Sequence, residues 1–320
     1  MGWATAVVAL AVSAASAAEG TGDKVLLKQK FTPGVWLMTT SMKLDQAVTI
    51  DGTPQPARQL VQTFVWSLDI GQPDKDGVKT IQIALKQAKQ SVARGAETAS
   101  YDSTGPAEKQ EPQFARSLGP VLKAKIKATV GADGKVASVT GLNEIWDALA
   151  KDTPDAATFA TQMKAQMGDS NIKDLLGKPA EMLPEKAVGV GDEWPPTLKF
   201  VMPAGAESEV KQTCKLQEVQ TATAGKVAVI QYEGSGKITK ETSVPMGPVT
   251  GKIQNMLSVQ KGTVKFNVDL GLVDSLAVTQ EGTTTFTVPG PEGKTQNIVT
   301  KDSSKSDISV VKGEAAPAAK

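Results

Sequence analysis

The chain has 320 residues, with Lys+Arg 35 against Asp+Glu 34, 4% aromatic residues, one cysteine and no histidine. Without imidazole there is no usual base for a serine, cysteine or threonine nucleophile and no usual nitrogen ligand for zinc or copper, so no catalytic residue, metal or cofactor is expected. A near-neutral charge of alternating sign and few aromatics exclude a nucleic-acid surface and disfavour an anionic membrane surface.

Residues 1–18 read as a signal peptide: Ala4 to Ala18 are apolar or small, and Ala15-Ser16-Ala17 forms a small-x-small site. Cleavage after Ala17 or Ala18 and export to the periplasm or the extracellular space are expected. No later stretch approaches the roughly 18 apolar residues of a transmembrane helix.

Residues 19–142 read as a first β-lobe. Trp36, Met38, Thr40, Met42 and Leu44 share one face of a period-two pattern, and Leu60, Phe64, Trp66, Leu68 and Ile70 share another. Asp74-Lys75-Asp76-Gly77 turns the chain into Ile81, Ile83 and Leu85. Leu122 to Val130 alternates apolar residues with Lys123, Lys125 and Lys127, and Gly131-Ala132-Asp133-Gly134 returns it, which predicts a hairpin with one wet face.

The period changes after Gly141, and residues 143–183 read as a helical connector. Asn143 is placed to cap a helix carrying Ile145, Trp146 and Leu149, and Thr153-Pro154-Asp155 to start a second with Phe159, Met163 and Met167 on one face. A third, Ile172 to Leu176, is expected to stop at Gly177 before Pro179. The stretch from Asn143 to Gly177 is thus the one substantial helical segment predicted.

Residues 184–312 read as a second β-lobe and 313–320 as a disordered tail. Cys214 falls in the alternating run Val210, Gln212, Cys214, Leu216, the setting of a buried structural thiol. Gln62-Thr63 followed by Gly77 to Gln82 matches Gln212-Thr213 followed by Gly225 to Gln231, which suggests an internal repeat.

Tyr101-Asp102-Ser103, Gly131-Ala132-Asp133-Gly134-Lys135-Val136, Val188-Gly189-Val190-Gly191-Asp192-Glu193-Trp194 and Pro33-Gly34-Val35-Trp36 occur together behind the leader. In that combination the chain resembles an uncharacterised bacterial family of exported β-rich proteins, a domain of unknown function. The resemblance implies bacterial origin and export, and it transfers no site residues.

Local motifs carry little chemistry. Asp192 and Glu193 beside Trp194 read as a turn leading into a strand, Ser258-Val259-Gln260-Lys261 lies in a strand rather than at the helix start that a Ser-x-x-Lys nucleophile needs, and Asp74 to Gly77 lacks the rest of a calcium loop.

The expected architecture is mainly β: two related antiparallel β-lobes, curved sheets or half-barrels, joined by a short helical segment. The candidate ligand-binding residues are Trp36, Met38, Met42, Phe64 and Trp66 from the sheets, with Trp146, Phe159 and Met163 from the helices. Two arrangements stay open: these side chains fill one core, or the helices cover a ligand space as a lid. The function expected first is an exported, non-enzymatic binding protein carrying an apolar small molecule. A structural or assembly component of the bacterial envelope, whose partner is an envelope protein, comes second, and a carboxylate-based hydrolase third.

Overall fold

The computed structural model describes residues 24–151, 154–201, 207–222, 225–240, 243–246, 249–290 and 294–313. The leader and all but the first residue of the predicted tail lie outside them. In chain order the strands are β1 (Gly34–Ile50), β2 (Thr53–Pro54), β3 (Arg58–Ile70), β4 (Lys79–Arg94), β5 (Glu97–Asp102), β6 (Ile126–Val130) and β7 (Val136–Thr140). Then come β8 (Glu193–Trp194), β9 (Thr197–Val201), β10 (Glu207–Ala222), β11 (Gly225–Lys240), β12 (Ser243–Met246), β13 (Val249–Asn267), β14 (Leu272–Pro289) and β15 (Thr295–Lys312). Four helices, α1 (Pro112–Leu122), α2 (Leu142–Leu149), α3 (Pro154–Gln166) and α4 (Asp169–Glu181), complete the described chain with one short 3-10 turn.

All 15 strands belong to one antiparallel, open sheet, in the order β7-β6-β4-β3-β1-β15-β14-β13-β11-β10-β8, with β2, β5, β9 and β12 paired alongside. The two strand-rich stretches are therefore continuous. They join where β1 pairs β15 over their length, from Trp36 opposite Lys312 to Ile50 opposite Ile298.

Period-two alternation sets the inner face. On β3, Gln62, Phe64, Trp66, Leu68 and Ile70 are buried while their odd-numbered neighbours are at least partly exposed, and register carries the pattern sideways: Met38 faces Trp66 and Trp66 faces Leu85. Against this face pack Phe114, Leu118 and Val121 of α1, Leu142 and Trp146 of α2, Met163 of α3, and Ile172 and Leu176 of α4. Each fully buried aliphatic or phenyl side chain here contributes about 1.5–3 kcal/mol of apolar burial. A second cluster holds Trp194, Cys214, Leu216, Ile230, Tyr232 and Phe266 on β8, β10, β11 and β13.

The helices correct the sequence reading in three places. Helix α1 was not expected; Pro112 starts it, Phe114, Leu118 and Val121 bury one stripe, and Leu122, assigned to a strand, is its last residue. The following strand accordingly begins at Ile126. Helix α4 runs to Glu181, through Gly177 and Pro179 rather than stopping before them. Asn143 does not cap α2: Gly141 does, with φ of 117°, while the Glu144 Oε2 accepts the Gly141 N–H at 2.6 Å. That φ suits glycine, and a Cβ at Gly141 would meet the Lys125 carbonyl oxygen at 2.5 Å. Asn143 Oδ1 instead accepts the Asp169 N–H at 3.3 Å and Asp169 Oδ1 accepts the Leu142 N–H at 2.9 Å, so the starts of α2 and α4 hold one another.

Candidate functional site: a cavity between the sheet and the helices

Where the inner face of β1, β3 and β4 leaves its large apolar residues behind, the facing side chains change character. Phe64 is followed along β3 by Gln62, Leu60 and Arg58, and register sets Gln62 between Met42 and Gln90, Leu60 between Leu44 and Val92, and Arg58 between Gln46 and Arg94. The helices do not close on this part of the sheet. They leave a cavity of about 520 Å³, within the roughly 300–1,000 Å³ of ordinary ligand pockets.

Its sheet wall is Leu44, Gln46, Arg58, Leu60, Gln62, Phe64, Gln90 and Val92. Its helical wall includes Phe114 and Leu118 of α1, Leu142 of α2, Phe159 and Met163 of α3, and Asn171, Ile172 and Leu175 of α4. Arg58 is the charged side chain of this lining, which contains no carboxylate. Gln46, Arg58 and Gln59 also border an open depression of 890 Å³ with Glu281, Lys301 and Asp302, so the Arg58 end is where the cavity meets the surface.

Gln62 and Asp302 are among the buried polar side chains of this face with an atom short of a partner among the described residues. Gln62 is 9% exposed, and its Oε1 has no hydrogen-bond partner among the described residues. Asp302 on β15, opposite Gln46, is 5% exposed; its Oδ1 accepts the Gln46 Nε2–H at 2.8 Å and its Oδ2 has no partner among the described residues. Burial raises the Asp302 pKa, and the Gln46 hydrogen bond opposes that shift.

The eight residues singled out from sequence divide between cavity and core. Phe64, Phe159 and Met163 line the cavity. Trp36, Met38, Trp66 and Trp146 are buried in the main core, where Phe64 meets Trp66 edge to face at 6.4 Å. Met42 is half-buried on the inner face beside Gln62. Arg116 of α1 lies over the Phe159 ring at 4.6 Å, a cation–π contact that ties α3 to α1. The candidate ligand-binding residues read from sequence did not include Gln46, Arg58, Leu60, Gln62, Gln90 or Asn171.

Other candidates resolve as structure. Asp192 Oδ2 accepts the Gly189 N–H at 2.8 Å and Trp194 Nε1 donates to the Met182 carbonyl at 2.7 Å, which makes Val188 to Trp194 a turn anchoring a strand. Asp74 Oδ1 accepts the N–H groups of Asp76 and Val78, each at 2.9 Å, as a turn-stabilising carboxylate does. Cys214 is fully buried, and burial pushes its thiol up to about 12, so it stays protonated and unreactive near neutrality.

The fold and cavity together define a mainly β protein of one open antiparallel sheet, with helices roofing part of its inner face. Residues 76–273 match the family of unknown function DUF6263, and the chain belongs to that family. No curated protein matches it. Among solved structures it is similar to one described as lipid–protein interactions in lipovitellin, at 13% identity and a TM-score of 0.42 over 90% of this chain. This chain spans 26% of that one. It is also similar to the beta domain of the Bordetella autotransporter BrkA, at 8% identity and TM-score 0.19 over 86% of this chain and 98% of that one. A third is Pseudomonas aeruginosa OccK7 (OpdD), at 5% identity and TM-score 0.21 over 87% and 99%. No helix among the described residues is long and apolar enough to cross a membrane, which says nothing about a β-barrel.

Proposed function

We propose that this is an exported, non-enzymatic binding protein that holds an apolar or amphiphilic small molecule between its sheet and its helices. The observation that carries this reading is the 520 Å³ cavity, whose walls are mainly apolar and whose polar groups are mainly uncharged amides. In this reading, residues 19–142 and 184–312 are related lobes of the one sheet, and residues 143–183 supply most of the cover. The lining offers no pair of carboxylates for hydrolysis.

The test removes two apolar contacts of the cover, both on α3. Phe159→Ala with Met163→Ala is expected to release a bound apolar compound. The stability loss should stay below the sum of two fully buried deletions, each worth about 2–5 kcal/mol, because Phe159 is only half-buried and both residues face the cavity. Mass spectrometry of lipid extracts from the natively purified protein, beside thermal denaturation of the variant, reads both quantities. No co-purifying apolar compound together with a full-sized stability loss would overturn the reading. Export rests on the apolar leader, and N-terminal sequencing of protein from the producing cell is expected to start at Ala18 or Glu19; material retaining Met1 would remove that part of the proposal.

A further inference from the structure

Of the chain's Lys+Arg 35, three are arginines, Arg58, Arg94 and Arg116, and Arg58 is the one that lines this cavity. Arg58 lines it, Arg94 stands directly opposite Arg58 across the β3–β4 ladder, and Arg116 covers Phe159 in its wall. Like charges placed directly opposite on one face destabilise a sheet, so the Arg58–Arg94 pair is a cost to the empty protein. Among the described residues no carboxylate lies within 4.0 Å of either guanidinium to offset it. Glu97, opposite Arg94 across the β4–β5 hairpin, makes no such pair, and Asp45 is held by Lys43 at 3.0 Å and by the Gln59 side chain at 2.7 Å. Deeper along the same strand, the buried Gln62 Oε1 lacks a donor.

We propose that the cavity takes an amphiphile with an acidic headgroup, carboxylate or phosphate, bound by Arg58 and Arg94, and an apolar tail reaching between Leu60, Phe64 and Met163. The proposal rests on the binding reading above and adds the ligand's charge and orientation. A guanidinium presents a planar fork of donors that matches a carboxylate or phosphate, which a lysine ammonium does not. The Arg58 end is the end that meets the surface, so the headgroup keeps contact with water while the tail lies inside.

The experiment measures binding of dodecanoate, dodecyl phosphate and dodecanol to the full chain by equilibrium dialysis at neutral pH, below micelle formation. At least one acid is expected to bind at least tenfold more tightly than the alcohol. The tighter acid identifies the headgroup. Arg58→Gln with Arg94→Gln should abolish that preference, bringing the acids down to the affinity that the same variant shows for dodecanol, and Arg58→Lys should keep only part of it. Because two facing like charges are removed, the ligand-free double variant should melt at or above the wild-type temperature, which separates a binding role from a structural one. If dodecanol binds as tightly as both acids, the headgroup assignment fails and the binding reading stands. If none of the three binds the wild type, the binding reading itself fails.

Discussion

Trp146→Ala is expected to lower the stability of the protein by about 3–5 kcal/mol, the range of a fully buried large aromatic. Trp146 is 0% exposed and belongs to the cluster that joins α2 to the inner face of the sheet. Its Nε1–H donates to the Met167 carbonyl at 2.7 Å, between α3 and α4, so one side chain connects three helices. Truncation leaves a void that close-packed neighbours only partly fill, and it strands a carbonyl at a helix end. Trp146→Phe keeps most of the apolar contact and loses the donor, and it should cost less, about 1–3 kcal/mol. Phe159→Ala provides the contrast, because a half-buried ring on a cavity wall leaves less void behind. Urea unfolding of the three variants measures the series. A loss below about 1 kcal/mol for Trp146→Ala would mean that the helical roof is not packed as one unit with the sheet.

Much of the sheet was legible because burial on one face imposes period two, which Trp36 to Leu44 and Leu60 to Ile70 display. Sheet continuity was not legible, since the β1–β15 pairing joins residues more than 240 positions apart and no local pattern encodes that register. Helix α1 contains Gly119-Pro120, which disfavour a helix interior, although Phe114, Leu118 and Val121 keep helical spacing; tertiary burial of that stripe outweighs the local penalty. Gly177 and Pro179 misled in the same way for α4.

The cavity was half visible. Hydrophobic spacing found Phe64, Phe159 and Met163, but it also collected Trp36, Met38, Trp66 and Trp146, because spacing cannot tell a filled core from the wall of a space. The polar members left a signal that went unused. Gln62 interrupts the apolar parity between Leu60 and Phe64, Gln90 does so between Ala88 and Val92, and a polar residue at a core-facing position of a half-buried strand requires a partner.

Asp302→Asn is expected to stabilise the protein at neutral pH by about 1–3 kcal/mol, because the amide removes a buried negative charge that its surroundings only half satisfy. Asp302 is 5% exposed, Gln46 satisfies one of its carboxylate oxygens, and Oδ2 has no partner among the described residues. Its facing neighbours by register are Gln46 on β1 and Gly282 on β14, and Arg58, one strand beyond Gln46, is the nearest basic residue on that face by register. Burial is the larger influence and raises the folded-state pKa above the ordinary 3.8. The native protein therefore holds this proton more tightly than the unfolded chain does. As pH rises from 3.8 towards the raised folded value, the unfolded state ionises first and stability falls; above that value the penalty is complete and constant. The advantage of Asp302→Asn should accordingly be full at neutral pH, shrink through that window as pH falls, and vanish below it. Asp174 and Asp274, also raised by burial, give the wild type further slope of the same sign, so the difference between variant and wild type isolates Asp302. Urea unfolding of both proteins at pH 7.5, 5.5 and 3.5 measures the curve. An Asp302→Asn protein less stable than wild type at all three would show that the carboxylate is held by a partner in solution and contributes to the fold as an anion.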